Sequence, residues 1–130
     1  MQSLNRYAPY FLGVLRIVTA LIFIAHGTQK LFGFPVLPPN GSLPPAFTMY
    51  WYAGVLELVG GLLVLFGFQT RIAAFVLSGQ MAFAYWMGHA PKSFYPVANG
   101  GDAAILYCFV FLYLVFAGAG AFAIDKDSRA

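Results

Sequence analysis

Four long apolar runs divide the chain, at about Tyr10–Phe32, Phe47–Phe68, Ile72–Met87 and Ala103–Ala123, and in none of them do apolar and polar residues alternate. The first, second and fourth come close to the ~20 apolar residues with which a helix crosses a hydrocarbon core, and the third lies near the short limit. A β-barrel needs alternation and is excluded. Between the first two runs stand Pro35, Pro38, Pro39, Pro44 and Pro45 with Asn40-Gly41. Prolines at that density remove backbone donors and clash with the preceding turn, so the segment is a loop. Gln69-Thr70-Arg71 is a turn too short for anything but an antiparallel hairpin, and Gly88–Asp102 reads as a second irregular loop. The pattern predicts an all-α protein: a transmembrane four-helix antiparallel bundle in one domain over residues 1–130, with a short polar head from Met1 to Pro9. Tyr50, Trp51 and Tyr52, and Tyr85 with Trp86, read as aromatic belts at the membrane interfaces.

Polar residues inside these runs are the candidate chemistry. In the first, Arg16, Thr19, Phe23, His26 and Lys30 recur at helical spacing and form one stripe. A charge facing lipid at mid-bilayer costs about 2.5–3.5 kcal/mol on insertion scales, so the stripe is expected to face protein. The second run carries Glu57, on a face with Tyr50, Gly54, Gly61 and Val64. Measured in turns from one membrane edge, Arg16 is its natural partner, and an intramembrane Arg16–Glu57 ion pair is expected. Such a pair either fixes which helices are neighbours or lines a polar cavity for a small molecule or a proton path. Gln80, midway along the third run, also needs a partner.

At the opposite edge, His26 and Lys30 are expected to gather with His89, Asn99 and Asp102, with His26 bonding Asn99 or Asp102 and this outer group meeting a ligand. Asp102 caps the fourth helix or stands in its first turn, where the helix dipole favours an acid. The two histidines lie on different segments, without the spacing of a metal-ligand pair on one helix, so no metal is expected. The single Cys108 excludes an intrachain disulfide and a CxxC redox pair, and sits in an apolar run as a packing residue. The small residues of Ala117–Ala121 and Gly60-Gly61 allow close helix contacts, within the bundle or between copies.

Composition agrees with the pattern. Hydrophobic residues make up 61% of the 130 and charged residues 8%, with a mean hydropathy of +0.77, too little charge to cover a water-exposed surface. A net charge of +3 with no basic run excludes a nucleic-acid partner. With the N-terminus inside, Arg6, Arg71, Lys126 and Arg129 fall on the cytoplasmic side and only Lys30 and Lys92 opposite, which predicts both termini in the cytoplasm. The first run lacks a small-x-small cleavage site, so no cleaved leader is expected.

Arg16, His26-Gly27-x-x-Lys30-Leu31-Phe32-Gly33, Glu57-Leu-Val-Gly-Gly-Leu-Leu-Val-Leu-Phe-Gly67, His89-Ala-Pro-Lys-Ser-Phe-Tyr-Pro96, Asn99-Gly-Gly-Asp102 and Ala117-Gly-Ala-Gly120 occur in one order. In that ordered set the chain resembles the DoxX family of small four-helix bacterial membrane proteins. It departs from the family pattern at Asp102, where the family usually has Glu, and at Gly118-Ala119-Gly120, where a Gly-Pro-Gly pattern is usual. The resemblance implies a multi-pass protein of the bacterial cytoplasmic (inner) membrane. Its polar positions would be Arg16, His26, Lys30, Glu57 and the acid opening the fourth helix. Some members of the family look like subunits of quinone-linked oxidoreductases, and others are associated with redox-stress or quinone-detoxification systems. The function expected is therefore an accessory, quinone-binding component of a membrane redox system, partnered by the lipid bilayer and by a second copy or a membrane redox complex. No haem ligand pair or flavin motif is present, so a self-contained electron-transfer enzyme is disfavoured. The rival readings are a proton-coupled small-solute transporter using Glu57 and a purely structural partner of a membrane complex.

Overall fold

The computed structural model describes residues 2–126, and within them all regular structure is helical. A single turn, α1 (Gln2–Asn5), stands where a polar head was expected. It precedes α2 (Ala8–Phe32), α3 (Met49–Phe66), α4 (Thr70–Ala84), the one-turn α5 (Pro96–Asn99) and α6 (Asp102–Ala117). α4 runs on through a wider π turn, Tyr85–His89, and a 3-10 turn, Ala90–Lys92. The segment between α2 and α3 is irregular throughout, as its prolines require. α2 and α3 are long and apolar enough to cross a membrane.

Local chemistry sets the helix ends. Pro9 lies in the first turn of α2, where a missing N–H costs nothing. The Thr48 hydroxyl accepts from Trp51 N–H and opens α3. Gly67, at φ 68°, closes α3 in the left-handed conformation that favours glycine.

Contacts between helices run in opposed register. Gly27 of α2 lies against the backbone of Gly54 and Leu58, Lys30 against Gly54, and Ile24 against Gly61. Gly60 of α3 abuts Leu77 of α4, and Ser78 of α4 bonds the Cys108 carbonyl of α6 at 2.8 Å. Phe23 of α2 meets Phe111 and Tyr107 of α6 edge-on. A methyl on Gly27 would lie 2.8 Å from Leu58 N, and backbone cannot move aside. Gly27→Val is therefore expected to cost about 1–3 kcal/mol by overpacking, read as earlier unfolding of the detergent-solubilised protein in a denaturant titration.

The distribution of polarity is inverted relative to a water-soluble domain. Ala20, Phe23, Val64, Ala74, Leu77, Phe111 and Leu114 are buried together with Arg16, Thr19, Lys30, Glu57, Ser78 and Asn99. Arg16 is 0% exposed while Phe116 is 75% exposed, and Phe11, Phe75, Phe83 and Phe109 also point outward. Water does not favour that arrangement, but hydrocarbon does.

The fourth run does not form one helix to Ala123. α6 stops at Ala117, and Gly118 and Gly120 take φ values of 82° and 72° that end it without the family's proline. The chain then turns back as a strap beneath the ends of α2, α3 and α4. Ala121 N–H bonds Pro9 O at 2.9 Å, Ile124 N–H bonds Phe66 O at 3.0 Å and Asp125 N–H bonds Gly67 O at 2.7 Å. The Asp125 carboxylate accepts the Gln69 and Thr70 backbone N–H groups, both at 2.9 Å, at the start of α4. Burial pushes the Asp125 carboxyl up, but hydrogen bonding from Thr70 and Gln69 and the charge of Arg16 outweigh it and hold the group below its ordinary value. A depressed native value contributes stability that is present above the ordinary carboxylate range and lost as pH falls through the native one. Mild acid is expected to free the strap first, seen as faster proteolysis near its end in acid than at neutral pH. Asp125→Asn should remove that difference.

Candidate functional site

Three helices contribute one side chain each to a buried polar cluster. Lys30, in the last turn of α2, donates from Nζ to Glu57 Oε1 of α3 at 2.8 Å. Gln80 of α4 donates from Nε2 to Glu57 Oε2 at 2.8 Å and to Ala53 O at 3.3 Å. The Lys30 side chain is 11% exposed and that of Glu57 3%, while Gln80 is half-buried, so the carboxylate is carried by the most enclosed side chain of the three. The Tyr50 ring covers the ammonium, with its centroid 5.2 Å from Nζ, at cation–π distance. With its NH2 group turned to two acceptors, Gln80 leaves Oε1 buried and without a partner among the described residues. A pair whose second carboxylate oxygen is also satisfied can hold charge in a medium where a lone ion could not.

The expected Arg16–Glu57 pair does not form. The α2–α3 register sets Gly27 beside Glu57, and places the Arg16 guanidinium carbon 3.3 Å from where a Gly67 side chain would begin. Arg16 therefore lies ten residues from the Glu57 level, about 15 Å at 1.5 Å per residue, beyond the reach of a guanidinium. Counting turns from a membrane edge misplaces it because the helices do not begin at one level. Arg16 instead donates to the strap: Nη1 to Ala119 O and, at 3.0 Å, to Ala121 O, and Nη2 to Phe122 O at 2.7 Å. Its positive charge is answered by carbonyl dipoles, with the Asp125 carboxylate beyond them.

The outer group divides as well. Lys30 belongs to Glu57, and His26 does not bond Asn99 or Asp102. His26 is exposed on the outer flank of α2, stacked edge-on against Tyr107 with ring centroids 5.7 Å apart. Asp102 stands in the first turn of α6, exposed, where the dipole alone accounts for an acid. His89 and Asn99 do meet: His89 Nδ1 lies 3.0 Å from Asn99 O. The Asn99 amide donates to Tyr85 Oη at 3.1 Å and Ser93 O at 3.0 Å and accepts Gly101 N–H at 2.8 Å. Those bonds brace the loop between α4 and α6, leaving Asn99 little capacity for a ligand. Among the described residues no three of His, Cys, Asp and Glu converge as metal ligands would.

Sequence reasoning misses Tyr50 as the cover of Lys30, Tyr107 as the neighbour of His26, and the strap carbonyls and Asp125 that answer Arg16. Tyr50 carried a signal, since it falls on the Glu57 face. Backbone carbonyls carry none, because every residue has one.

The family model described as DoxX matches residues 11–90. An uncharacterized protein of Haemophilus influenzae is 48% identical over 97% of this chain and 96% of its own length. A Bacillus subtilis protein named "Putative oxidoreductase CatD" is 43% identical over 45% of each chain. An uncharacterized membrane protein of Mycobacterium tuberculosis is 25% identical over 96% of this chain and 85% of that protein. No solved structure matches. The matched stretch holds Arg16, Lys30, Glu57 and Gln80 and so the whole buried cluster, and the chain belongs to the DoxX family.

Proposed function

We propose that the chain spans the bacterial cytoplasmic membrane as an antiparallel four-helix bundle with both termini inside, and serves there as a quinone-binding component of a membrane redox system. The observation that carries this reading is the Lys30–Glu57–Gln80 cluster, enclosed by helices whose outer faces are aromatic and aliphatic. Lys30 is held in an ion pair, which leaves Lys92 as the one loop cation facing Arg6, Arg71 and the C-terminal cations across the bilayer, and this favours the orientation further.

A quinone fits the donors and acceptors present. Its carbonyls need donors, which Lys30 and His26 carry, and the hydroxyls of its reduced form need an acceptor, which Gln80 Oε1 offers unpaired. Phe23 and Tyr107 supply apolar faces beside His26. When bound, the quinone would carry the electrons; the chain's residues would orient it and hold a proton on Glu57 or Lys30. The name of the Bacillus subtilis relative points the same way.

Mass spectrometry of protein purified in native lipid nanodiscs tests the reading. The expected result is a quinone retained by the wild type and lost in both Glu57→Gln and Gln80→Leu, at unchanged helix content. A preparation free of quinone that also fails to take up added quinone would exclude it.

A further inference from the structure

The two ends of the helix assembly are closed differently, and that difference bears on how the buried cluster is reached. At the loop end, Pro38, Pro39, Asn40, Ser42, Pro44 and Tyr50 line a cavity of about 240 Å³, room for several waters. One lining residue, Tyr50, is the same one whose ring lies against Lys30 Nζ. Asn40 and Ser42 are the polar residues of a lining that is otherwise proline and tyrosine, and the Lys30 side chain beside the ring is less enclosed than that of Glu57, at 11% against 3% exposed. In the other direction from Glu57, the interior is mainly apolar: Phe23, Val64, Leu77 and Ala20 are 0–1% exposed, with Thr19 and Ser78 buried among them. Beyond them the strap seals the end, with Arg16 fully buried under the Ala119, Ala121 and Phe122 carbonyls.

We propose that the Lys30–Glu57–Gln80 cluster exchanges water and protons with the loop side alone, through the cavity under the proline-rich loop, with Tyr50 as its gate. Water fills the cavity and meets the ammonium at the edge of the Tyr50 ring. Between Glu57 and Arg16 the buried polar side chains are Thr19 and Ser78, and Ser78 Oγ is bonded to the Cys108 carbonyl at 2.8 Å, so they form no continuous path for a proton. The cluster is then a one-sided site, whatever lipophilic molecule it serves. This inference rests on the membrane-spanning arrangement proposed above and not on the quinone.

Thiol labelling in sealed vesicles of either orientation tests it. Gln80→Cys places a reporter beside Glu57 in a Cys108→Ala background, and Ala53→Cys serves as a second reporter should the first fail to fold. Asn40→Cys marks the loop side. A small, charged, membrane-impermeant methanethiosulfonate reagent is expected to reach the reporter only from the side that labels Asn40→Cys. Adding Tyr50→Ala should raise that rate at least tenfold, and Tyr50→Phe should leave it within twofold. Labelling of the reporter from the strap side or from both sides would overturn the inlet, and equal access from both would favour a transporter. No change with Tyr50→Ala would overturn the gate. Labelling of Asn40→Cys from both sides would overturn the spanning arrangement itself, and the inlet with it.

Discussion

Lys30→Met is expected to destabilise the protein by about 3–5 kcal/mol, the range seen when one partner of a buried ion pair is removed and the other stays behind. The loss arises because Glu57 keeps its burial while losing the donor at 2.8 Å, with Gln80 its one remaining partner. Pairing Lys30→Met with Glu57→Leu removes the orphaned charge along with its partner, and should return most of the stability. A double-mutant cycle in denaturant, with the protein in mixed micelles, reads the coupling directly. Additive effects of the two changes would show that the 2.8 Å contact carries no coupling. Functional measurements on Glu57 variants need this control, since loss of a ligand and loss of the fold look alike without it.

Arg16→Met has a comparable expected effect by a different route. It leaves Ala119, Ala121 and Phe122 carbonyls facing one another inside the protein with no donor between them. Phe122 is also held at φ 62°, a left-handed conformation that an aromatic residue adopts only where its surroundings impose it. Without the guanidinium, that strain is held only by the strap's remaining bonds, from Ala121, Ile124 and Asp125. A loss of about 3 kcal/mol or more is expected, on the scale of several charge-assisted hydrogen bonds, and protease should cut between Gly118 and Asp125 while α2–α6 survive. Arg16→Lys should not rescue it, because a single ammonium cannot address three carbonyls with the planar fork of arginine. Rescue by lysine would show that charge alone, rather than fork geometry, holds the strap.

Much of this architecture was legible from residue patterns. Continuous apolar runs, the proline cluster and the Gln69–Arg71 turn dictate four long helices and one sizeable loop, because those features act within a few residues of themselves. The stripe was legible too: Arg16, Thr19, Phe23 and Lys30 are all buried, with His26 the exception. What each member touches was not. Pairing depends on the relative level of two helices, and that level is set by three glycine contacts, Gly27, Gly54 and Gly61, whose depth no periodicity encodes. An offset of ten residues sends Arg16 to the strap and gives Glu57 to Lys30. The end of α6 escaped for a related reason. Ala117–Ala121 reads as a small-residue contact stripe, whereas its glycines end the helix and free carbonyls that Arg16 requires.

The Arg16–Ala119 bond joins residues 103 positions apart. During synthesis Arg16 is therefore made well before its acceptors, which follow α3, α4 and α6 along the chain. Until those carbonyls arrive the guanidinium lacks the partners that answer its charge. Closing the strap is thus a long-range step, one that the local formation of each helix does not accomplish.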